Sequence, residues 1–278
     1  MSSPNNTFGK LHIVATPLGN AGDLSPRARK ILEEVPLVLA EDTKRAGLNF
    51  ARWGLKAKRL ISFNDHSEEK KLEHALNFLQ QGEDIALISD AGMPVISDPG
   101  YLIVKACREK NIPVTAIPGA SAPVTALAGS GIAPNPFTFF GFLPRKTSDM
   151  EKTLAPYAKI FSTLVFFERK DRIAETLKYL YTLLGARDVC IARELTKEHE
   201  EFIFLNLEAV PDLGHLLGEL TVIVGPPLEI SKSSRQEVQA IIREEKSLGG
   251  SPKQIAKRVQ TQCHGWTTSE IYTLVTKD

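Results

Sequence analysis

The chain has 278 residues and a mass of 30.6 kDa, too long for a minimal single-core module and suited to two ordinary domains or one large α/β domain. Hydrophobic residues make up 42% and charged residues 24%, which excludes a disordered chain, and 34 Lys and Arg against 33 acids leave a net charge of +1, so any nucleic-acid surface has to be local. The scattered Cys107, Cys190 and Cys263 argue against a disulfide framework or a clustered metal site, and no apolar run approaches the roughly 20 residues of a membrane-spanning helix.

Residues 1–10 are polar, lack an apolar leader segment and read as a flexible N-terminus; the expected setting is cytoplasmic, with no membrane contact. Residues 11–16 (LHIVAT), bounded by Pro17 and Gly19, read as a buried strand. Ser25 is placed as an N-cap with Pro26 at the first helical position, opening a helix to about Val35. A second apolar run, 37–40 (LVLA), ends in Glu41 and Asp42. Leu72, Ala75, Leu76 and Leu79 predict a helix over 70–81 with Gly82 as its C-cap. A strand at 85–89, a turn-rich stretch at 90–100, a helix at 101–110, a strand at 114–117 and a helix at 122–129 follow. This alternation predicts a mainly parallel sheet covered on both faces.

A second unit begins near Phe137, with strands at 163–168 (TLVFFE), 188–193 (DVCIAR) and 220–224 (LTVIV) and a helix at 172–184 ended by Gly185. Pro226 and Pro227 break the chain. Helices over 235–248 and 251–262, and a last one from Thr268 or Ser269, make a helical appendix with Gly249-Gly250 as a turn. The expected division is 11–134, 135–227 and 228–278.

Ligands of parallel sheets bind outside the carboxyl ends of the strands. Three loops at such ends join small residues, which let a backbone come close, to hydroxyl or carboxylate groups: 16–20 (TPLGN), 89–100 (SDAGMPVISDPG) and 118–122 (PGASA). Each by itself makes a turn; three at successive strand ends make one crevice. No G-x-G-x-x-G or G-x-x-x-x-G-K-[ST] is present. The cluster 40–45 (AEDTKR) reads either as a solvated loop capping the next helix or as the rim of that crevice. Asn64-Asp65-His66 is a similar polar cluster, but His66 has no fixed partner to make it a general base. His74, His199 and His215 stand alone, and nothing has metal-ligand spacing. Phe137, Phe139, Phe140 and Phe142 read as core, followed by Arg145 and Lys146; Arg169, Lys170 and Arg172 follow Phe166-Phe167. These bases, at loop positions, have the chemistry to track a phosphate backbone. Lys253, Lys257 and Arg258 share a helix face in the tail, which a solvated surface explains equally well.

The motifs VATPLGNAGDLSPRA, AEDTK, LISDAGMPVISDPGY, IPGASA, GFLPRK and ARELTK, in this order and spacing, resemble the tetrapyrrole-methylase superfamily and, within it, the ribosomal RNA small subunit methyltransferase I group. The resemblance covers about residues 11–224. It implies two α/β domains with the cofactor cleft between them, plus the helical appendix. It also implies S-adenosylmethionine as cofactor, 2′-O-methylation of a cytidine ribose in small-subunit (16S) rRNA, the small ribosomal subunit as partner, and a homodimer. Carried over, Pro17, Leu18 and Gly19 approach the donor through backbone atoms. Asp90, Ala91, Gly92, Met93 and Val95 line its amino-acid and ribose end, Ser121 and Ala122 complete that wall, and Phe166, Ala192 and Leu220 flank the adenine from the second domain. Asp42, Arg193 and Lys197 are the candidates for activating the acceptor hydroxyl, and Arg145, Lys146, Arg169, Lys170 and Arg172 for holding RNA. Two stretches depart from the family pattern and bear on RNA contact: Arg169-Lys170-Asp171-Arg172, where Ser-Pro-His-Arg is usual, and Leu217-Gly218-Glu219, which lacks a base before Gly-Glu. The rival readings are a corrin or porphyrin-precursor methylase and a non-catalytic nucleotide-binding module.

Overall fold

The computed structural model describes residues 8–64, 68–228, 232–263 and 265–277; Asp65 and His66 of the polar cluster and most of the N-terminal 1–10 segment lie outside them. The first sheet is built from β1 (Leu11–Val14), β2 (Leu37–Ala40), β3 (Leu60–Ser62), β4 (Ile85–Ile88) and β5 (Val114–Ile117) in the order β3-β2-β4-β1-β5, every pair parallel. All residues of β1, β2 and β4 are buried, because helices cover both faces. On one face Val14, Val38, Ala40, Ala86 and Ile88 pack with α1 (Pro26–Glu34) and α2 (Thr43–Arg52). On the other, Leu11, Ile13, Leu39 and Leu87 pack with α3 (Glu68–Gln80) and α4 (Tyr101–Glu109). The Ser25 hydroxyl accepts from the Ala28 amide and Pro26 sits in the first turn, as the sequence predicts for α1.

The helix α5 (Ala122–Gly129) follows β5 in the chain but covers the second sheet: Ala126 and Leu127 pack on Val165, Cys190, Ala192 and Ile223. That sheet contains β6 (Phe137–Phe142), β7 (Thr163–Arg169), β8 (Asp188–Arg193), β9 (Glu201–Asn206) and β10 (Glu219–Val224) in the order β6-β7-β10-β8-β9. β6 and β7 are parallel and the other pairs antiparallel, so β6, β7 and β8 end at one edge. Its far face packs on α6 (Thr147–Leu154) and α7 (Ile173–Leu184). The tail helices α8 (Arg235–Ser247), α9 (Pro252–Gln260) and α10 (Thr268–Lys277) enclose their own core around Val238, Ile242, Val259 and Ile271. Capping boxes at Ser234/Glu237 and Ser251/Gln254 start two of them. Arg258 joins α9 to α8 through the Glu245 carboxylate, so it is not part of a free basic face, whereas Lys253 and Lys257 are exposed.

The sequence pattern does not assign β3, β6, β9 or α6, and gives α2 only as a helix following the 40–45 cluster. β3 is three half-buried residues at a sheet edge, and β9 is an edge strand that leaves Phe204 exposed, so neither carries a full apolar signature. Among the described residues no helix is long and apolar enough to cross a membrane.

Candidate active site

β4, β1 and β5 are neighbours in the sheet, so the three small-residue loops leave adjacent strand ends. The chain departs from β1 toward β2 on one side and from β4 toward β5 on the other, which opens a crevice at the switch of direction. The first two loops are tied by a two-bond bridge: the Thr16 amide donates to the Gly92 carbonyl (2.9 Å) and the Gly92 amide to the Thr16 carbonyl (3.0 Å). Gly92 has φ +81°, and a Cβ there would stand 3.2 Å from Leu18 Cδ2 and 3.8 Å from the Ala120 carbonyl oxygen, so the three loops meet around it. Thr16 is buried and its Oγ1 has no hydrogen-bond partner among the described residues. Ser121, at the N-cap of α5, makes no side-chain cap bond, and Pro123 in the first turn has no N–H to be capped.

Asp42 is the N-cap of α2: its Oδ1 accepts from the amides of Lys44 (2.7 Å) and Arg45 (3.2 Å). The Arg45 and Lys44 amides hold its carboxyl below the usual range, and Oδ2 has no hydrogen-bond partner among the described residues. The cap brings Arg45 around to donate to Asp90 Oδ2 at 2.8 Å, and one turn later Asn49 donates to the Asp90 main-chain carbonyl at 3.1 Å. Asp90 is therefore held at side chain and backbone by α2, while the side chains of Met93 and Val95 farther along the loop pack on the core of the first sheet, so these two can line the crevice mainly through their backbone.

The second sheet closes the crevice with the loop after β8. The Asn20 amide donates to Thr196 Oγ1 (3.2 Å), and the Lys197 stem lies over Gly19. Lys197 Nζ is bonded to Glu194 Oε1 (3.0 Å) and Glu219 Oε2 (2.9 Å), while Glu194 Oε1 also accepts the Glu219 amide (2.9 Å). Burial opposes the Lys197 charge, but the Glu219 and Glu194 carboxylates hold its pKa above the usual lysine value. Burial likewise opposes the Glu194 charge, and the Glu219 amide and Lys197 ammonium outweigh it, lowering its pKa. Lys197 is thus a cation, engaged twice, and not a base. Arg193 is engaged by Glu201 (3.2 Å) and by the Leu217 carbonyl (3.3 Å).

Five non-glycine residues among those described have positive φ: Val95, Ser97, Glu194 and Thr196 in the facing loops, and Asn111 elsewhere. A non-glycine residue there costs about 1–3 kcal/mol, and four such positions on opposite walls of one crevice mark a place where backbone shape outweighs local stability.

The remaining expected residues divide. Ala192 faces α5 and the first lobe, with Leu18 and Ala122 packed on the same cluster. Phe166 and Leu220 point the other way, into the core beneath α6 and α7, so only their main chains can reach a ligand. Arg172 is engaged by the buried Glu168 (3.5 Å) and the Pro144 carbonyl (3.2 Å), and Arg169 by Asp171 (3.0 Å). Arg145, Lys146 and Lys170 are exposed, and their side chains make no ion pair or hydrogen bond among the described residues. The expectation that the phenylalanines of β6 are core is corrected: Phe142 is 60% exposed and Phe137 41%. Asn49 is the crevice residue that sequence reasoning passed over, and for Arg45, Glu194, Thr196 and Glu219, which lie in stretches it singled out, it did not give the partners.

A family model described as Tetrapyrrole (Corrin/Porphyrin) Methylases matches residues 10–211. The chain is 40% identical over 276 residues to a Pasteurella multocida (strain Pm70) protein named Ribosomal RNA small subunit methyltransferase I, covering 96% of this chain and 97% of that one. It is 43% identical over 220 residues to the Thermotoga maritima protein of the same name, covering 78% and 98%. Among solved structures it is similar to the methyltransferase CobJ, with TM-score 0.60 and 18% identity over 81% of this chain and 96% of that one. It is also similar to uroporphyrin-III C-methyl transferase from Thermus thermophilus complexed with S-adenyl homocysteine, with TM-score 0.56 and 19% identity over 78% and 97%.

Proposed function

Because the chain belongs to the tetrapyrrole (corrin/porphyrin) methylase family, and within it to the ribosomal RNA small subunit methyltransferase I group, we propose that it methylates the ribose 2′-hydroxyl of a cytidine in 16S rRNA, with S-adenosylmethionine as donor. The observation that carries this reading is the meeting of the three small-residue loops around Gly92, in a chain whose relatives bear that name. The residues present fit a nucleoside donor: Thr16 Oγ1 lacks a partner among the described residues, Ser121 does not spend its hydroxyl on capping α5, and the space beside Gly92 would be filled by any side chain. Pro17, Leu18, Gly19, Ala91, Met93, Val95, Ser121 and Ala122 would hold the donor, with Asp90 pre-set by Arg45 and Asn49, and the main chains of Phe166, Ala192 and Leu220 on the far wall. Bound there, S-adenosylmethionine supplies a sulfonium-activated methyl group.

The protein's part is to hold and orient the acceptor and take its proton. Asp42 Oδ2 is the acceptor for the ribose hydroxyl proton in this reading. Its lowered pKa keeps it ionised at neutral pH and makes it a modest base. Lys197 and Arg193, engaged by Glu194, Glu219 and Glu201, shape the rim. Asp42→Asn keeps an oxygen to cap α2, so donor affinity should be unchanged while the single-turnover rate falls about 100-fold; an unaltered rate makes Asp42 a cap and nothing more.

The homodimer, the cytoplasmic setting and the division at 134/135 and 227/228 belong to the same reading. The deciding experiment offers labelled S-adenosylmethionine with small ribosomal subunits from cells lacking the activity, and in parallel with tetrapyrrole precursors. Label on a cytidine ribose of 16S rRNA is the expected result; label on tetrapyrroles only, or no transfer, ends the proposal.

A further inference from the structure

Phe139 lies opposite Val165 and Phe142 opposite Phe167, so β6 spends one residue more than β7 between the two pairings. Gly141, at φ +65°, takes up this bulge. In a regular strand, residues three apart point to opposite faces. The bulge turns both onto the face of Phe167, with ring centroids 5.1 Å (Phe139) and 5.4 Å (Phe142) from it. Phe140 packs on the opposite face, against Tyr157 at 5.2 Å. The result is a row of three rings on the side of the sheet that meets the first lobe. Its inner member, Phe139, packs in the cluster that includes Leu18 and Ala122 of the crevice. Its outer member, Phe142, is 60% exposed, and the Gly141 backbone beneath it touches the first lobe, where a Cβ would stand 2.6 Å from Ser97 Oγ.

A single exposed phenylalanine is ordinary. This ring is braced from behind by the Phe167 ring, tilted 56° to it, placed by a bulge at the mouth of the crevice, and followed at the ends of β6 and β7 by Arg145, Lys146 and Lys170, whose side chains are exposed and unengaged among the described residues. An open π-face beside free cations is the arrangement that holds an unstacked base and its phosphates. The three cations have no carboxylate partner among the described residues, and a run of phosphates supplies the matching charge.

We propose that Phe142, supported by Phe167, is the stacking ledge for a base splayed out of the RNA next to the modified nucleotide, with Arg145, Lys146 and Lys170 on its phosphates. This rests on the RNA reading above. The ledge fixes the RNA where the crevice can reach a ribose; it does not touch the donor.

The test compares the parent protein with Phe142→Ala, Phe142→Leu and Phe142→Trp on unmodified small ribosomal subunits, with donor affinity by calorimetry and mass by sedimentation. The Ala and Leu variants should lose roughly tenfold or more in kcat/KM, and Trp should restore it, all with parental donor affinity and mass. The fluorescence added by Phe142→Trp should be quenched by a short single-stranded RNA. The triple change Arg145→Ala/Lys146→Ala/Lys170→Ala should flatten the slope of log affinity against log salt by roughly 2. If the parent transfers no methyl to RNA, the proposed function fails and takes the ledge with it. If the parent is active, the ledge alone is overturned by full activity of Phe142→Ala and Phe142→Leu, by loss of donor affinity in them, or by a change of mass that makes the ring a self-association contact.

Discussion

Gly92→Val should lower methyl transfer about 100-fold, with a matching loss of donor affinity, in a protein that still folds. The new side chain meets Leu18 and the Ala120 carbonyl oxygen, at 3.2 and 3.8 Å from Cβ alone, and φ +81° is one a β-branched residue adopts only under strain. Strain and crowding are separable. Gly131 also has positive φ (+65°), but no atom lies within 4 Å of its Cβ position. Gly131→Val therefore reports the backbone cost, about 1–3 kcal/mol, with transfer within about twofold of the parent. If the two variants lose the same activity, or if Gly92→Val binds donor like the parent, the crevice around Gly92 is not the donor site.

The largest stability effect is expected at Arg187. Its side chain is 0% exposed with no carboxylate partner among the described residues, and burial pushes its pKa down to about 10, so it remains charged at neutral pH. It donates to the carbonyls of Gly225 (3.2 Å), Tyr157 (2.7 Å) and Ala158 (3.0 Å), tying the start of β8 to the end of β10 and to the turn before β7. Arg187→Met removes the cost of a buried cation but leaves three carbonyls without their donor. Charge-assisted bonds are worth about 1.5–3 kcal/mol each, so loss wins over relief and the net destabilisation is about 3 kcal/mol, or roughly 6–12 °C in Tm. A melting temperature within 2 °C of the parent would mean that the cation's burial cancels its bonds. Donor affinity should not change, since Arg187 packs at the opposite end of β8 from Lys197.

Local chemistry made much of this protein readable. Apolar runs as short as 37–40 mark strands when every residue is buried, and all four residues of β2 are. Ser25-Pro26 marks a helix start because its hydroxyl and fixed φ act within one turn. The loops around Leu18, Gly92 and Ser121 were legible because small residues next to polar ones after a strand are needed only where backbone must come close. Asp42 was legible in both its readings, and its cap bonds are now seen directly. Unreadable were partners far apart in the chain: Arg45 with Asp90, Lys197 with Glu219, and Glu168, which engages an arginine that looked free. Phe142 could not be told from its neighbours, because a bulge, visible only in the pairing with β7, reverses which face it occupies.

The amino-acid order by itself determined the strand and helix alternation, the three crevice loops and the family, since each depends on residues within a few positions of one another or on motifs kept in sequence. Tertiary structure decided that α5 covers the second sheet, that β4, β1 and β5 stand side by side, and which charges remain free. These depend on distances across the fold, and a side chain's chemistry there is set by the partner that reaches it first.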